Sequence, residues 1–198
     1  MAEITAALVK ELRDKSGAGM MDCKSALVEA KGDLEKAGEV LRKKGIAKAS
    51  KKADRAANEG RIEAYIHPGS KLGVLLEVNC ETDFVANTDD FAKFCRDVSM
   101  QVAASSPGFV RREEVDQETI DHEMEIYKEQ ARTQGKPEQI LEKIATGKLD
   151  KFYSEICLLE QPFVKDPDKT IQALLTETIA KLGENISIRK FSRFKVGE

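Results

Sequence analysis

The side chains best equipped for covalent chemistry are few and scattered. His67 and His122 are the two histidines, and neither has a visible partner with which to relay a proton. The four cysteines, Cys23, Cys80, Cys95 and Cys157, lie far apart with no C-x-x-C pair, which argues against a zinc site. The chain has no G-x-x-x-x-G-K-[ST] loop, no G-x-S-x-G elbow and no H-E-x-x-H helix. Gly17-Ala-Gly19 is too short to cradle phosphates, and no strand precedes it. The acidic pairs Glu113-Glu114 and Glu123/Glu125 read as a solvated helix face. No catalytic residue, metal ligand or cofactor is therefore assigned, and the chain is not expected to be an enzyme.

Three segments carry another kind of chemistry, that of contact. Met20-Met21 follows a glycine loop and starts a helix. Methionine is flexible and polarizable, suited to adaptable surfaces, although from the residues alone core filling is the simpler use. Thr82-Asp83-Phe84-Val85 follows an apolar run and precedes a helix. There the Asp can cap the turn, and the ring of Phe84 is expected to tuck beneath the helix. Arg42, Lys43, Lys44, Lys48, Lys51, Lys52 and Arg55 face only Asp54 as acid. Such a run could contact phosphates. Without interleaved aromatics a solvated linker helix fits better, and an RNA-binding adaptor using residues 42–55 is the alternative reading.

These segments need elements to hold them. Ile4, Ala7, Leu8 and Leu12 form one helical stripe that ends at Ser16-Gly17-Ala18-Gly19. Ala26, Leu27 and Ala30 mark a second helix. Asp33 is placed to cap a third, through Leu34, Ala37, Val40 and Leu41 to a stop at Gly45. The pattern then becomes alternating, with Ile62, Ala64 and Ile66 as the inner face of a half-buried strand. Pro68-Gly69-Ser70-Lys71 turns the chain into a more apolar strand, Leu72 to Val78. Helical spacing returns at Phe91, Cys95, Val98 and Val102, with Thr88 as its cap. Gly135-Lys136-Pro137 reverses two helical arms into a hairpin, the second running to Gly147 before its stripe resumes at Leu149. Ile171, Leu174, Leu175, Thr178, Ile179 and Leu182 make a last amphipathic helix. The final strand holds Ile186 and Ile188 in one parity with Phe194 and Val196, and Phe191 in the other. An apolar outer sheet face would suit a second copy, a homodimer through the sheet.

Composition narrows the rest. The 198 residues are 41% hydrophobic and 34% charged, the balance of a folded protein, and at this length roughly 70% of the unfolded surface can be buried without a metal or disulfide staple. With 32 bases against 35 acids the net charge is −3, which supplies no drive toward nucleic acid. Aromatics at 6% and no Trp disfavour a stacking platform. No apolar run approaches the ~20 residues of a membrane span. The start, Met1-Ala-Glu-Ile-Thr5, does not resemble a signal peptide, so a cytoplasmic setting is expected.

Three stretches resemble one family. Leu12-Arg-Asp-Lys-Ser-Gly-Ala-Gly-Met-Met-Asp-Cys-Lys-Ser-Ala-Leu27 is similar to the first signature of elongation factor Ts, and Glu77-Val-Asn-Cys-Glu-Thr-Asp-Phe-Val-Ala-Asn87 to its second. Gly135-Lys-Pro through Gln161-Pro-Phe-Val-Lys-Asp-Pro167 is similar to that family's helical hairpin. The resemblance is to the short bacterial form. It implies an α+β fold: an N-terminal three-helix ubiquitin-associated-like module, then a small three-stranded antiparallel sheet packed with helices, and a projecting helical hairpin. The expected domains are 1–55, the module with its basic linker helix, and 56–198, a core with strands near 61–68, 72–81 and 185–196 and the hairpin near 116–160. The implied function is guanine-nucleotide exchange on elongation factor Tu. The matching positions imply that Arg13, Met20, Met21 and Lys24 dock the module on the GTPase. They also imply that Thr82, Asp83, Phe84 and Val85 form a loop entering near the magnesium and phosphate site.

Overall fold

A computed structural model describes residues 4–198 of the chain; residues 1–3, on which the signal-peptide reading partly rests, lie outside the described residues. The fold is α+β. In chain order it runs α1 (Ala6–Ser16), α2 (Met20–Glu29), α3 (Leu34–Ser50), β1 (Glu59–Ile66), β2 (Leu72–Cys80), α4 (Asp83–Ala86), α5 (Asp89–Ser105), α6 (Gln117–Thr133), α7 (Glu138–Ile156), β3 (Pro162–Phe163), β4 (Asp166–Thr170), α8 (Ile171–Leu182) and β5 (Ile186–Lys195). β1, β2 and β5 form the three-stranded antiparallel sheet, in that spatial order. The small β3–β4 pair, also antiparallel, was not expected from Pro162 and Asp166-Pro167, which read as chain breaks. The chain divides into two compact units: Met1–Arg61, Val78–Cys95 and Ala173–Ser187 in the first, and Ile62–Glu77, Arg96–Gln172 and Ile188–Glu198 in the second.

In the first unit, the opening helices close on a core of Val9, Leu12, Cys23, Ala26, Leu27 and Ala37. Thr5 caps α1 by accepting the Leu8 N–H at 3.3 Å. Gly17, at φ +67°, ends it in the left-handed conformation that glycine adopts at low cost. Val9 is buried and Ala7 is exposed, so the α1 stripe is turned slightly from the one the spacing predicted. Asp33 caps α3 as expected, accepting from Glu35 and Lys36 N–H, and chiefly Lys36, through its N–H and its ammonium, holds the carboxyl below the usual range.

Gly45 does not stop α3, which continues to Ser50. It is buried, and a Cβ there would lie 3.5 Å from the Ala180 Cβ. That is an ordinary van der Waals distance, so packing does not demand glycine there, and the helix simply runs through it at a propensity cost of about 1 kcal/mol. The basic segment expected to be a separate linker helix therefore begins as the last turns of α3.

Gly60, at φ +150°, opens β1 where any Cβ would stand 2.2 Å from the Val78 carbonyl oxygen, a close approach only glycine permits. Further along, in the second unit, β1 buries the face opposite to the one predicted. Glu63 and Tyr65 are inward, while Ile62, Ala64 and Ile66 are exposed. The polar atoms on the buried side find partners: Glu63 pairs with Arg96 at 3.7 Å, the Tyr65 hydroxyl bonds the His67 Nδ1 at 3.0 Å, and the Arg96 guanidinium lies 5.8 Å from the Tyr65 ring centre. Alternation gives the period of a strand but not which parity faces in. β5 shows the same point. Ile186 and Ile188 are buried, Arg189 and Lys190 are both exposed, and the alternation changes phase so that Phe194 and Val196 lie exposed.

The hairpin of α6 and α7 turns at Gly135 (φ +74°), with Ala131, Leu141 and Ala145 buried. Gly147 lies inside a single α7 rather than dividing it; no heavy atom stands within 4 Å of its Cβ position, so the glycine there costs only propensity. At the base, Val115, Tyr153 and Cys157 form a core with Ile120, Leu149 and Phe152. Arg112 covers it, bonding Glu160 and Asp150 with its guanidinium 4.5 Å from the Tyr153 ring centre.

Candidate contact site

The turn after β2 is built on hydrogen bonds. Thr82 is extended and its Oγ1 accepts the Val85 N–H at 3.3 Å, so Thr82, not Asp83, caps the four-residue α4. At the far end the Asn87 side chain donates to the Asp83 carbonyl at 2.8 Å, and the Thr88 hydroxyl donates to the Val85 carbonyl at 2.8 Å. The Thr88 oxygen also accepts the Phe91 N–H, capping α5 as expected. Val85 and Ala86 are buried and anchor the turn from below. Phe84 points the other way and is 79% exposed. Burial beneath the helix, the expectation from residue type alone, is thus overturned. A four-residue helix has only one inner side, and Val85 with Ala86 occupies it.

Two acidic residues brace this turn. Glu184 accepts the backbone N–H groups of Glu81 and Thr82 and the Thr82 hydroxyl. Glu81 in return accepts the Asn185 N–H at 2.6 Å and meets Arg55 at 3.5 Å; the Asn185 donation, then the Arg55 charge, hold its carboxyl below the usual range. The Asn185 side chain donates to the carbonyls of Ala53 and Arg55, at 3.3 and 2.7 Å. Under the turn, the Cys80 thiol donates to the Thr82 carbonyl at 3.1 Å. Burial, and then the Glu184 charge, push that thiol's pKa up, so it serves as a packed donor rather than a nucleophile. Cys23, Cys95 and Cys157 are buried thiols as well.

The second set of residues singled out is on the opening module. Met20 and Met21 are 57% and 77% exposed, so core filling is overturned here too. Arg13 on α1 and Lys24 on α2 are also exposed. Val28, which sequence reasoning did not single out, is exposed as well. Met21, Lys24 and Val28 lie three and four residues apart and share a helix face, and that spacing was the signal available.

The basic run is largely committed within its own unit. Lys44 pairs with Glu29 at 2.9 Å, Lys48 with Asp22 at 2.8 Å and Arg55 with Glu81, while Lys52 donates to the Gly183 carbonyl. Four of the seven bases thus have intramolecular partners. Among the described residues, no group of three or more His, Cys, Asp or Glu side chains is arranged to hold a metal ion, and no helix is long and apolar enough to cross a membrane.

An exposed aromatic on a braced turn and an exposed methionine pair on the opening helices are apolar features left in water, and comparison with known proteins says which class of protein carries them. The profile described as Elongation factor TS matches residues 18–198. An Elongation factor Ts of Carboxydothermus hydrogenoformans is 61% identical over 195 residues, 98% of this chain and 90% of that protein. One from Anaeromyxobacter dehalogenans strain 2CP-1 is 63% identical over the full 198 residues and 90% of its own length, and one from Geobacter sulfurreducens is 62% identical over 195. The class is that of translation elongation factors. Within it, this chain belongs to the elongation factor Ts family.

Proposed function

We propose that the chain is a guanine-nucleotide exchange factor that binds elongation factor Tu and promotes release of its GDP. The observation that carries this reading is the exposed Phe84 ring on a turn fixed by hydrogen bonds. A bound nucleoside diphosphate is held by its magnesium ion and by N–H groups around its phosphates, in a site where charge interactions are strong. Displacing that arrangement needs a rigid apolar wedge, and a buried aromatic anchor supplies ~2 kcal/mol or more at an interface. Thr82, Asp83, Phe84 and Val85 form the wedge. Arg13, Met20, Met21 and Lys24, on the 1–55 module, dock on the GTPase, with the 56–198 core holding its other domains. Linkage makes factor and nucleotide weaken each other's binding by the same ratio, so the factor accelerates exchange without choosing between GDP and GTP. No covalent bond is made or broken, and neither cofactor nor metal is needed on this chain. The role belongs to the cytoplasm and requires no membrane or nucleic-acid contact; the pairing of Lys44, Lys48, Lys52 and Arg55 within the fold counts against the RNA-adaptor alternative.

A second copy of the chain is a further partner. It is favoured by the exposed apolar side chains Ile62, Ile66, Leu75, Phe194 and Val196 on the sheet strands and their end. One gel-filtration experiment addresses both readings. Mixed with nucleotide-free elongation factor Tu the chain is expected to co-elute as a complex, and excess GDP with magnesium is expected to dissolve it. Co-elution indifferent to GDP, or none in either state, would overturn the exchange reading, and the elution volume of the chain alone reports the dimer.

A further inference from the structure

Phe84 keeps a hydrocarbon ring in water, and its backbone must be held while it does so. The four-residue α4 cannot hold itself, since a single helical turn is unfavourable in isolation. Val85 and Ala86 fix it from below. From the side comes Glu184, a residue 102 positions away in sequence from Thr82. Its Oε2 accepts the Glu81 N–H at 3.1 Å and the Thr82 N–H at 3.0 Å, and its Oε1 accepts the Thr82 hydroxyl at 2.6 Å. That last bond decides the rest. A threonine hydroxyl has one proton and two lone pairs. With the proton committed to Glu184, a lone pair is aimed at the Val85 N–H, and α4 is capped. Bonds to an ionised carboxylate are shorter and stronger than neutral ones.

We propose that Glu184 is a positioning residue for the Phe84 wedge, ordering the turn before the partner arrives so that the ring is presented in one orientation. This rests on the exchange reading above. A preordered turn loses less conformational freedom on binding, and that saving appears as faster productive insertion. A carboxylate that merely satisfied stray donors would change melting temperature and leave exchange alone, so the two roles are separable.

The test uses the full chain with Glu184→Ala, Glu184→Gln and Phe84→Ala, read by amide hydrogen exchange and by release of labelled GDP from elongation factor Tu. In Glu184→Ala, protection of the Thr82 and Val85 N–H groups is expected to fall with the partner absent. Accelerated GDP release is expected to drop about tenfold, the scale of hydrogen bonds to a charged group. Glu184→Gln, which keeps an acceptor oxygen, should fall between, and it carries the test if the alanine variant does not fold. The double variant with Phe84→Ala is expected to be no slower than Phe84→Ala alone, because nothing is left to position. Unchanged protection, acceleration within twofold of the natural chain, or losses that simply multiply would each overturn the assignment. A Phe84→Ala variant that is itself silent would instead overturn the wedge, a distinguishable failure.

Discussion

The Phe84 turn and the start of α2 both hold large apolar side chains in water, yet they are built in opposite ways. At the turn, a threonine cap, an asparagine, a second threonine and a carboxylate fix every part of a four-residue helix around one aromatic ring. At α2 the N-cap is Gly19, which offers no side chain, and Met20 and Met21 project from the first turn. The ring has two torsions and a rigid backbone beneath it, whereas each methionine has three torsions and an uncapped helix end. The first arrangement suits entry at one angle into a defined slot. The second suits a surface that moulds itself to a neighbour. The difference teaches that exposure alone does not describe a contact site; the stiffness of the backbone carrying it does.

The comparison breaks most directly at Phe84. Phe84→Ala removes an outward ring and little of the protein's own packing, so its melting temperature is expected to stay within a degree or two. Its acceleration of labelled-GDP release is expected to fall about 30-fold, the equivalent of a ~2 kcal/mol anchor. Full acceleration at matched concentration would remove the wedge and the contrast with it.

Met21→Gln is the matched experiment on the softer surface. A polar side chain at a mouldable contact is expected to weaken the complex about fivefold, less than loss of the ring, because neighbours such as Val28 can re-pack around it. The maximal exchange rate at saturating factor is expected to hold. A larger loss of melting temperature than of affinity, measured by thermal scan and titration, would return Met21 to the core.

How much of this was legible beforehand varies by physical cause. Helices announced by caps and stripes, such as the one Asp33 opens or the Ile171–Ile179 face, were readable because their determinants are local. Gly45 misled because one glycine inside a helix costs only about 1 kcal/mol, which the alanines and lysines around it outweigh. The face of β1 misled because Ile62 and Ile66 look like core, and Glu63 and Tyr65 become inward residues only once Arg96 and His67 are there to satisfy them. At the site, residue type spoke for burial of Phe84 and Met21, and only the motif around them spoke for exposure. Glu184 gave no signal, since a lone Glu after a helix-ending glycine has no pattern until the chain brings it to Thr82.

The smallest expected effect is on pH, and it sharpens the contrast at the level of the braces. Glu81 has its carboxyl held below the ordinary 4.5 by the Asn185 N–H and by Arg55. A carboxyl depressed in the folded state contributes stability that is complete above its unfolded value and is lost as pH falls through the folded one. The Asn185 amide should therefore show constant protection from pH 8 down to about 5, and a fall only once the solution is more acidic than about pH 4.5. Glu81 is half-buried but still reached by solvent, whose screening keeps the effect small. Glu81→Gln should abolish the step and leave a uniformly weaker amide, while Met21→Gln should keep it, because Met21 takes no part in the brace. A step that survives in Glu81→Gln would mean that Glu81 does not govern the turn's acid response.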